Sequence, residues 1–263
     1  MKLLKQLIIF NLSLFSVFNT AYAELAFNQS ADITDQSIKI AVGPSQINSD
    51  THPAPLNSPG IGISILENGT KVSFKGLISS PYYEIPKDQY NNYDTELALT
   101  DPSLKNIGIY RFAKTDNEEV YFGEWTYQQD DTAYRNVYYA GQDITTDMPS
   151  EGSAIYTTSG ISAGYAGNGP IMGSLSADFA QNTLQGDLTN GSLTLNIDAA
   201  ITNNSATFAG AAKISHDSNQ YSGDTSGHFF NDQASSLAGI ATFTDNRQYD
   251  ASFAGKKFII KIE

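Results

Sequence analysis

Beyond Gly152, runs of 5 to 8 residues rich in Thr, Ile, Leu, Phe and Tyr are separated by Asn-Gly, Gly-Asn and Asp-Asn pairs. Short runs of that composition bounded by such turn pairs predict antiparallel strands joined by hairpins. The expected strands cover 155–166, 171–179, 183–188, 192–201, 206–214, 223–230, 237–243 and 248–262. Eight strands in so short a stretch can close into a barrel, which removes exposed edges and leaves an interior that side chains fill. Thr207-Phe208-Ala209-Gly210 and Ser252-Phe253-Ala254-Gly255 echo each other, each placing a bulky ring and a glycine in a strand where a curved wall must bend.

The stretch before this is less regular. Strands are expected at 38–42, 62–66, 72–78, 108–112 and 120–127, with a short helix at 90–99. A polar stretch of 18 residues, from Gly43 to Gly60, separates the first two strands. A loop of that length in a compact domain is usually functional or disordered. Seven of nine prolines precede residue 140, whereas 14 of 21 glycines lie from Gly141 onward. That shift places a boundary near 149–152, giving residues 24–150 and 151–263 as two domains, all-β with a minor helix.

At the start, Met1-Lys2-Leu3-Leu4-Lys5, an apolar run to Val17, and Ala21-Tyr22-Ala23 have the layout of a secretory signal peptide, residues 1–23. The run is too short to span a bilayer, which needs about 20 mainly apolar residues, so no membrane insertion is expected. Residues 24–263 carry 13 basic and 28 acidic side chains, a formal charge of −15. Such a surface repels phosphate backbones and excludes nucleic acid as a partner. The chain has no cysteine, hence no disulfide staples and no thiolate metal site.

The segment Gly227-His228-Phe229-Phe230-Asn231-Asp232-Gln233-Ala234, followed by Leu237-Ala238-Gly239-Ile240-Ala241-Thr242-Phe243, resembles the closing strands of the small barrel of transferrin-binding protein B. Tyr138-Tyr139-Ala140-Gly141, the run from Met148 to Tyr156, and Leu175-Ser176-Ala177-Asp178-Phe179 with Thr183-Leu184-Gln185-Gly186 fit the same group. The barrel also occurs in hemophilins, secreted haem carriers, and the chain is similar to that family over about residues 120–263. The resemblance implies an N-terminal ligand domain followed by an eight-stranded barrel of the transferrin-binding protein B type. It further implies a secreted monomeric hemophore of a Gram-negative organism that binds haem b for iron acquisition and delivers it to an outer-membrane TonB-dependent haem receptor. Recognition by a translocon of the surface lipoprotein assembly modulator type belongs to the same expectation. Lacking the cysteine that lipidates transferrin-binding protein B, the mature chain is expected to be released. Two other readings stay open: a secreted module binding a host or partner protein, and a carrier of another cofactor such as a corrinoid.

Enzyme chemistry finds no support. Gly160-Ile161-Ser162-Ala163-Gly164 spells a nucleophile elbow, but the Gly- and Pro-containing stretch after it, 165–170, cannot form the helix that motif needs. The acidic pairs read as solvated turn charges, and no nucleophile, base and orienting group assemble. Among three histidines, His216 lies in a polar turn and His228 in a barrel strand. His52 differs, being the only imidazole of 24–150 and sitting on its longest polar loop. A neutral imidazole, with an ordinary pKa of about 6.5, can hold haem iron, so His52 is the expected metal ligand. The alternative is an exposed loop histidine with no role. Thirteen aromatic residues lie between Tyr82 and Tyr139. Phe112, Tyr121 and Trp125 are expected in the core, and Tyr82 and Tyr83, between Pro81 and Pro86, beside the ligand. Mass spectrometry of protein exported with its translocon is expected to find an N-terminus at Glu24; a lipidated or cytoplasmic product would remove the export reading.

Overall fold

A computed structural model describes residues 24–258 other than 34, 67–68, 83, 99–106, 117 and 164. In chain order the first elements are β1 (Leu25–Gln29), β2 (Ile40–Pro44), β3 (Pro59–Ile63), β4 (Val72–Ser73), α1 (Phe74–Ile78), β5 (Tyr93–Asp94), α2 (Thr95–Ala98), β6 (Ile109–Lys114), β7 (Val120–Gln129) and β8 (Thr132–Gln142). There follow β9 (Ser153–Ile161), α3 (Tyr165–Asn168), β10 (Ile171–Asp178), β11 (Thr183–Asn190), β12 (Leu193–Thr202), β13 (Thr207–His216), β14 (Asn219–Phe230), β15 (Ser236–Thr242) and β16 (Ala251–Lys257).

The last eight strands form a closed antiparallel barrel in the order β10-β11-β12-β13-β14-β15-β16-β9. Each lies on the strand that its hydrophobic run predicts, with ends shifted by a few residues. Alternation fills the interior: β12 buries Leu193, Leu195, Ile197, Ala199 and Ile201 and turns the residues between them outward. Phe208, Phe229 and Phe253 meet at the centre, with Phe208 edge-on to Phe229 at 5.6 Å. The barrel is therefore a packed core rather than a ligand cavity.

Upstream, β1-β8-β7-β6-β5 make one sheet and β2-β3-β4 a smaller one. Two elements differ from their predicted type. Within 72–78 only Val72–Ser73 is strand, because the Ser73 hydroxyl accepts the Gly76 N–H at 2.7 Å and starts α1 as an N-cap. Within 90–99, Tyr93–Asp94 pair with β6, and Asp94 Oδ1 then accepts the Glu96 N–H at 2.8 Å, turning the chain into α2. β1 and β8 carry no clean alternation and are not predicted by it. β8 is buried on both faces along most of its length, and its polar Asn136 is satisfied by Gln36 and by the Ser30 and Ala31 carbonyls.

The larger sheet is packed on both sides. Phe112, Tyr121, Trp125, Tyr138 and Ala140 face the small sheet and α1, where Phe74 stacks on Tyr121 at 4.9 Å and on Tyr138 at 5.7 Å. Ala113, Val120, Phe122, Val137 and Tyr139 face the barrel and meet Ile161, Tyr165, Phe230, Ala238, Ile240 and Ala254. This contact is why β15 and the first part of β16 are buried on both faces, unlike β10–β13. Gly141 is required here, since a Cβ would enter the Phe230 ring. Around the apolar patch, Asn28 Nδ2 donates to Ser226 Oγ, Arg247 Nη2 to the Ala31 carbonyl and Lys256 Nζ to the Asp116 carbonyl.

Across the same contact the Tyr139 phenol meets His228 Nδ1 at 2.7 Å. Burial lowers the His228 pKa below its usual value and raises that of Tyr139, so a neutral imidazole and a protonated phenol share this hydrogen bond. A histidine held neutral contributes stability that is complete above its unfolded pKa of about 6.5 and is lost as pH falls below it. Thermal melts between pH 7 and pH 5 are expected to show falling stability, with a shallower fall in His228→Gln. Equal slopes for the two proteins would exclude His228 as the titrating group.

Candidate functional site

The stretch between β2 and β3 is ordered by its own hydrogen bonds. Ser45 N–H donates to the Ser58 carbonyl at 2.8 Å and Asn57 N–H to the Ser45 carbonyl at 3.0 Å. Gln46 clasps the chain before β4, its N–H on the Lys71 carbonyl and its Oε1 accepting the Lys71 N–H at 3.0 Å. A tight turn closed by Ser49 and His52 forms its tip, with the His52 N–H reaching the Ser49 carbonyl at 3.1 Å.

His52 is half-buried and backed by α1. A Cβ on Gly76 would stand 3.2 Å from both the Cβ and the carbonyl carbon of His52, so glycine in the middle of this short helix lets the loop approach. Tyr82 follows the last residue of α1 by four positions and is 70% exposed. Tyr83 lies outside the described residues. Leu56, on the His52 loop, is 51% exposed. This end of the fold thus offers an imidazole on a fixed backbone together with apolar and aromatic side chains open to solvent.

Three other tyrosines of the cluster are structural. Tyr121, Tyr138 and Tyr139 are fully enclosed, and burial raises their pKa values well above the ordinary phenol range. Such phenols stay protonated and are unsuited to binding iron as phenolates. His216 bonds the Tyr249 hydroxyl through Nδ1 at 3.2 Å, and His228 is engaged by Tyr139. Both belong to the barrel, and neither shares a site with His52. No group of three His, Asp or Glu side chains that could hold a bare metal ion occurs among the described residues. Haem differs from a bare ion in needing only one or two axial side chains.

A groove of about 460 Å³ lies elsewhere, lined by Ile33, Ile109, Tyr127, Tyr134, Arg135 and Arg247 among others. It sits by the β7–β8 hairpin. His52 lies toward the opposite end of β7, since its neighbour Lys75 acts on Glu119, just before that strand. Roughly 25 Å of strand separates the two, at about 3.3 Å per residue. Both guanidinium groups in the groove are already paired, Arg135 with Glu124 and Arg247 with Asp250, each at 2.6 Å. Nothing in the hydrophobic pattern of the sequence marks this groove, because it arises where the hairpin meets the turn at Arg247–Tyr249.

The fold has solved counterparts. HpuA from Kingella denitrificans in complex with human haemoglobin is similar over 91% of this chain and 89% of that one, with a TM-score of 0.54 at 15% identity. The apo haemoglobin receptor HpuA from the same organism gives 0.53 over 92% and 89% at 15% identity. At these identities the likeness is one of fold. An uncharacterized protein of Haemophilus influenzae is 28% identical over 214 residues, which is 77% of this chain and 62% of that protein. The chain therefore spans less than two thirds of that relative's length. Residues 20–137 match the HphA N-terminal heme-binding domain, and residues 146–257 match the HphA C-terminal domain. With haem-binding and C-terminal parts both matched in order along most of its length, the chain belongs to the hemophilin family of HphA, a family of non-enzymatic carriers.

Proposed function

We propose that this protein is a secreted hemophore in which residues 24–150 take up haem b at the end carrying the 45–58 loop, and residues 151–263 form the barrel used for export and docking. The observation that carries this reading is the match of residues 20–137 to a haem-binding domain. His52, the one imidazole of that region, supplies its neutral ring nitrogen to the iron. Its backbone is fixed by Ser49 and backed by α1, which limits the entropy lost on coordination. Tyr82 flanks the ring, and Leu56 adds apolar contact. Iron is the chemistry that the cargo brings; the protein binds it, holds it and hands it on unchanged to an outer-membrane TonB-dependent receptor. Secretion past the inner membrane uses the segment removed before Glu24, and passage through the outer membrane uses a translocon of the surface lipoprotein assembly modulator type. A second reading, favoured by the fold shared with HpuA, is a module that grips a host protein such as haemoglobin.

Protein purified from haem-supplied cells is expected to carry a Soret band. His52→Ala is expected to shift that band and to speed haem loss to apomyoglobin, with the β-sheet circular dichroism unchanged. Apolar contacts over the ring keep some binding, and His216→Ala changes neither spectrum nor rate. An unaltered spectrum and transfer rate in His52→Ala would remove this residue as the iron ligand. A protein that takes up no haem at all would favour the host-protein reading.

A further inference from the structure

Haem carries two carboxylates as well as iron, and a chain of formal charge −13 repels them unless it sets cations aside. All three arginines are committed to carboxylates: Arg111 to Asp94 and Glu124, Arg135 to Glu124, and Arg247 to Asp250. Lys39, Lys114 and Lys256 are in ion pairs, and Lys87 is held by Asn91 and lies over the Tyr93 ring. Upstream of the barrel, the lysines with no ion pair among the described residues are then Lys71, Lys75 and Lys87, and Lys87 is already held by Asn91 and the Tyr93 ring.

Both stand at the end of the fold where His52 sits. Lys75 is the exposed second residue of α1, beside the Gly76 that abuts His52. Lys71 begins the segment leading into that helix, and the backbone N–H and carbonyl on either side of its side chain are clamped by Gln46, on the His52 loop. Its aliphatic stem lies over Gly43, where an added Cβ would meet Lys71 Cε at 3.3 Å and the Phe27 ring at 3.4 Å. Four residues apart, their α-carbons are at most about 14 Å from each other, within reach of one dicarboxylate through long side chains. The two arginines of the groove at the other end are each already paired with a carboxylate, Arg135 through Nε and Arg247 through Nε.

We propose that Lys71 and Lys75 are the carboxylate-recognition pair of the haem site, binding the two propionates while His52 takes the iron. This rests on the hemophore reading above, and charge-assisted bonds of this kind are among the stronger polar contacts available to an exposed ligand. Carboxylate recognition lets the site distinguish haem from its neutral esters, and its strength falls with salt.

The test compares haem with haem dimethyl ester, whose carboxylates are blocked, on full-length mature protein and on Lys71→Gln/Lys75→Gln. Neither side chain is in an ion pair among the described residues, Lys75 acting on Glu119 only at longer range, and a circular dichroism spectrum verifies that the variant folds. Dissociation of haem to apomyoglobin is expected to be about tenfold or more faster in the double variant, the loss of one or two charge-assisted bonds. Dissociation of the ester is expected to be unchanged, and the Soret position, which reports His52, is the same in both proteins. Equal rates for haem in the two proteins, or equal acceleration of haem and ester, would overturn the pair. A wild-type protein that gives no Soret band with either compound would instead overturn the hemophore reading itself.

Discussion

The architecture depends on a sheet that must be covered on both faces. β6, β7 and β8 put alternate residues on opposite sides, so Phe112, Tyr121 and Tyr138 are committed to the small sheet while Ala113, Phe122 and Tyr139 are committed to the barrel. A one-residue slip of register would exchange the two sets. The charges obey the same constraint. Arg111, Glu124 and Arg135 lie on the barrel-facing side, and they are tolerated because Arg111 bonds Asp94 and Glu124 while Arg135 bonds Glu124. Buried ions are costly unless paired in this way.

That packing decides where a ligand can go. The aromatic residues between the two upstream sheets are consumed by one another, Phe74 lying against Phe112, Tyr121 and Tyr138. The barrel interior is filled by Phe208, Phe229 and Phe253. What remains are the ends of the upstream unit. One end has an apolar groove whose cations are spent, and the other has a histidine, a 70% exposed tyrosine and two lysines without ion pairs. The second combination is the one proposed to take an apolar disc that carries iron and two carboxylates.

The barrel was legible in the chain because β10–β13 each have one buried face, which alternation reports, while β15 and β16, buried on both faces where they meet the upstream sheet, are marked instead by short apolar runs between turns. Upstream, β8 is buried on both faces and carries Arg135 and Asn136 inside, so no alternation marks it. The helix α1 escaped for a different reason: Val72, Phe74 and Leu77-Ile78 suit a strand, and the Ser73 cap that starts a helix there is a single hydroxyl on a single N–H. The candidacy of His52 could be read from its being the only imidazole of residues 24–150, on a long loop. Its backing by Gly76 could not, since that contact joins segments 24 residues apart. Likewise, Tyr139, Gly141, His228 and Phe230 stand in motifs that resemble known barrels, but their meeting at one contact is visible only in three dimensions.

Amide hydrogen exchange with and without one equivalent of haem tests the place of the ligand across the whole chain. Haem is expected to slow exchange in residues 45–58 and 71–83, leaving the β7–β8 hairpin, the turn at Arg247–Tyr249 and the barrel strands unchanged. Protection centred instead on residues 126–135 and 247–248 would put haem in the groove and contradict the assignment of the site to His52.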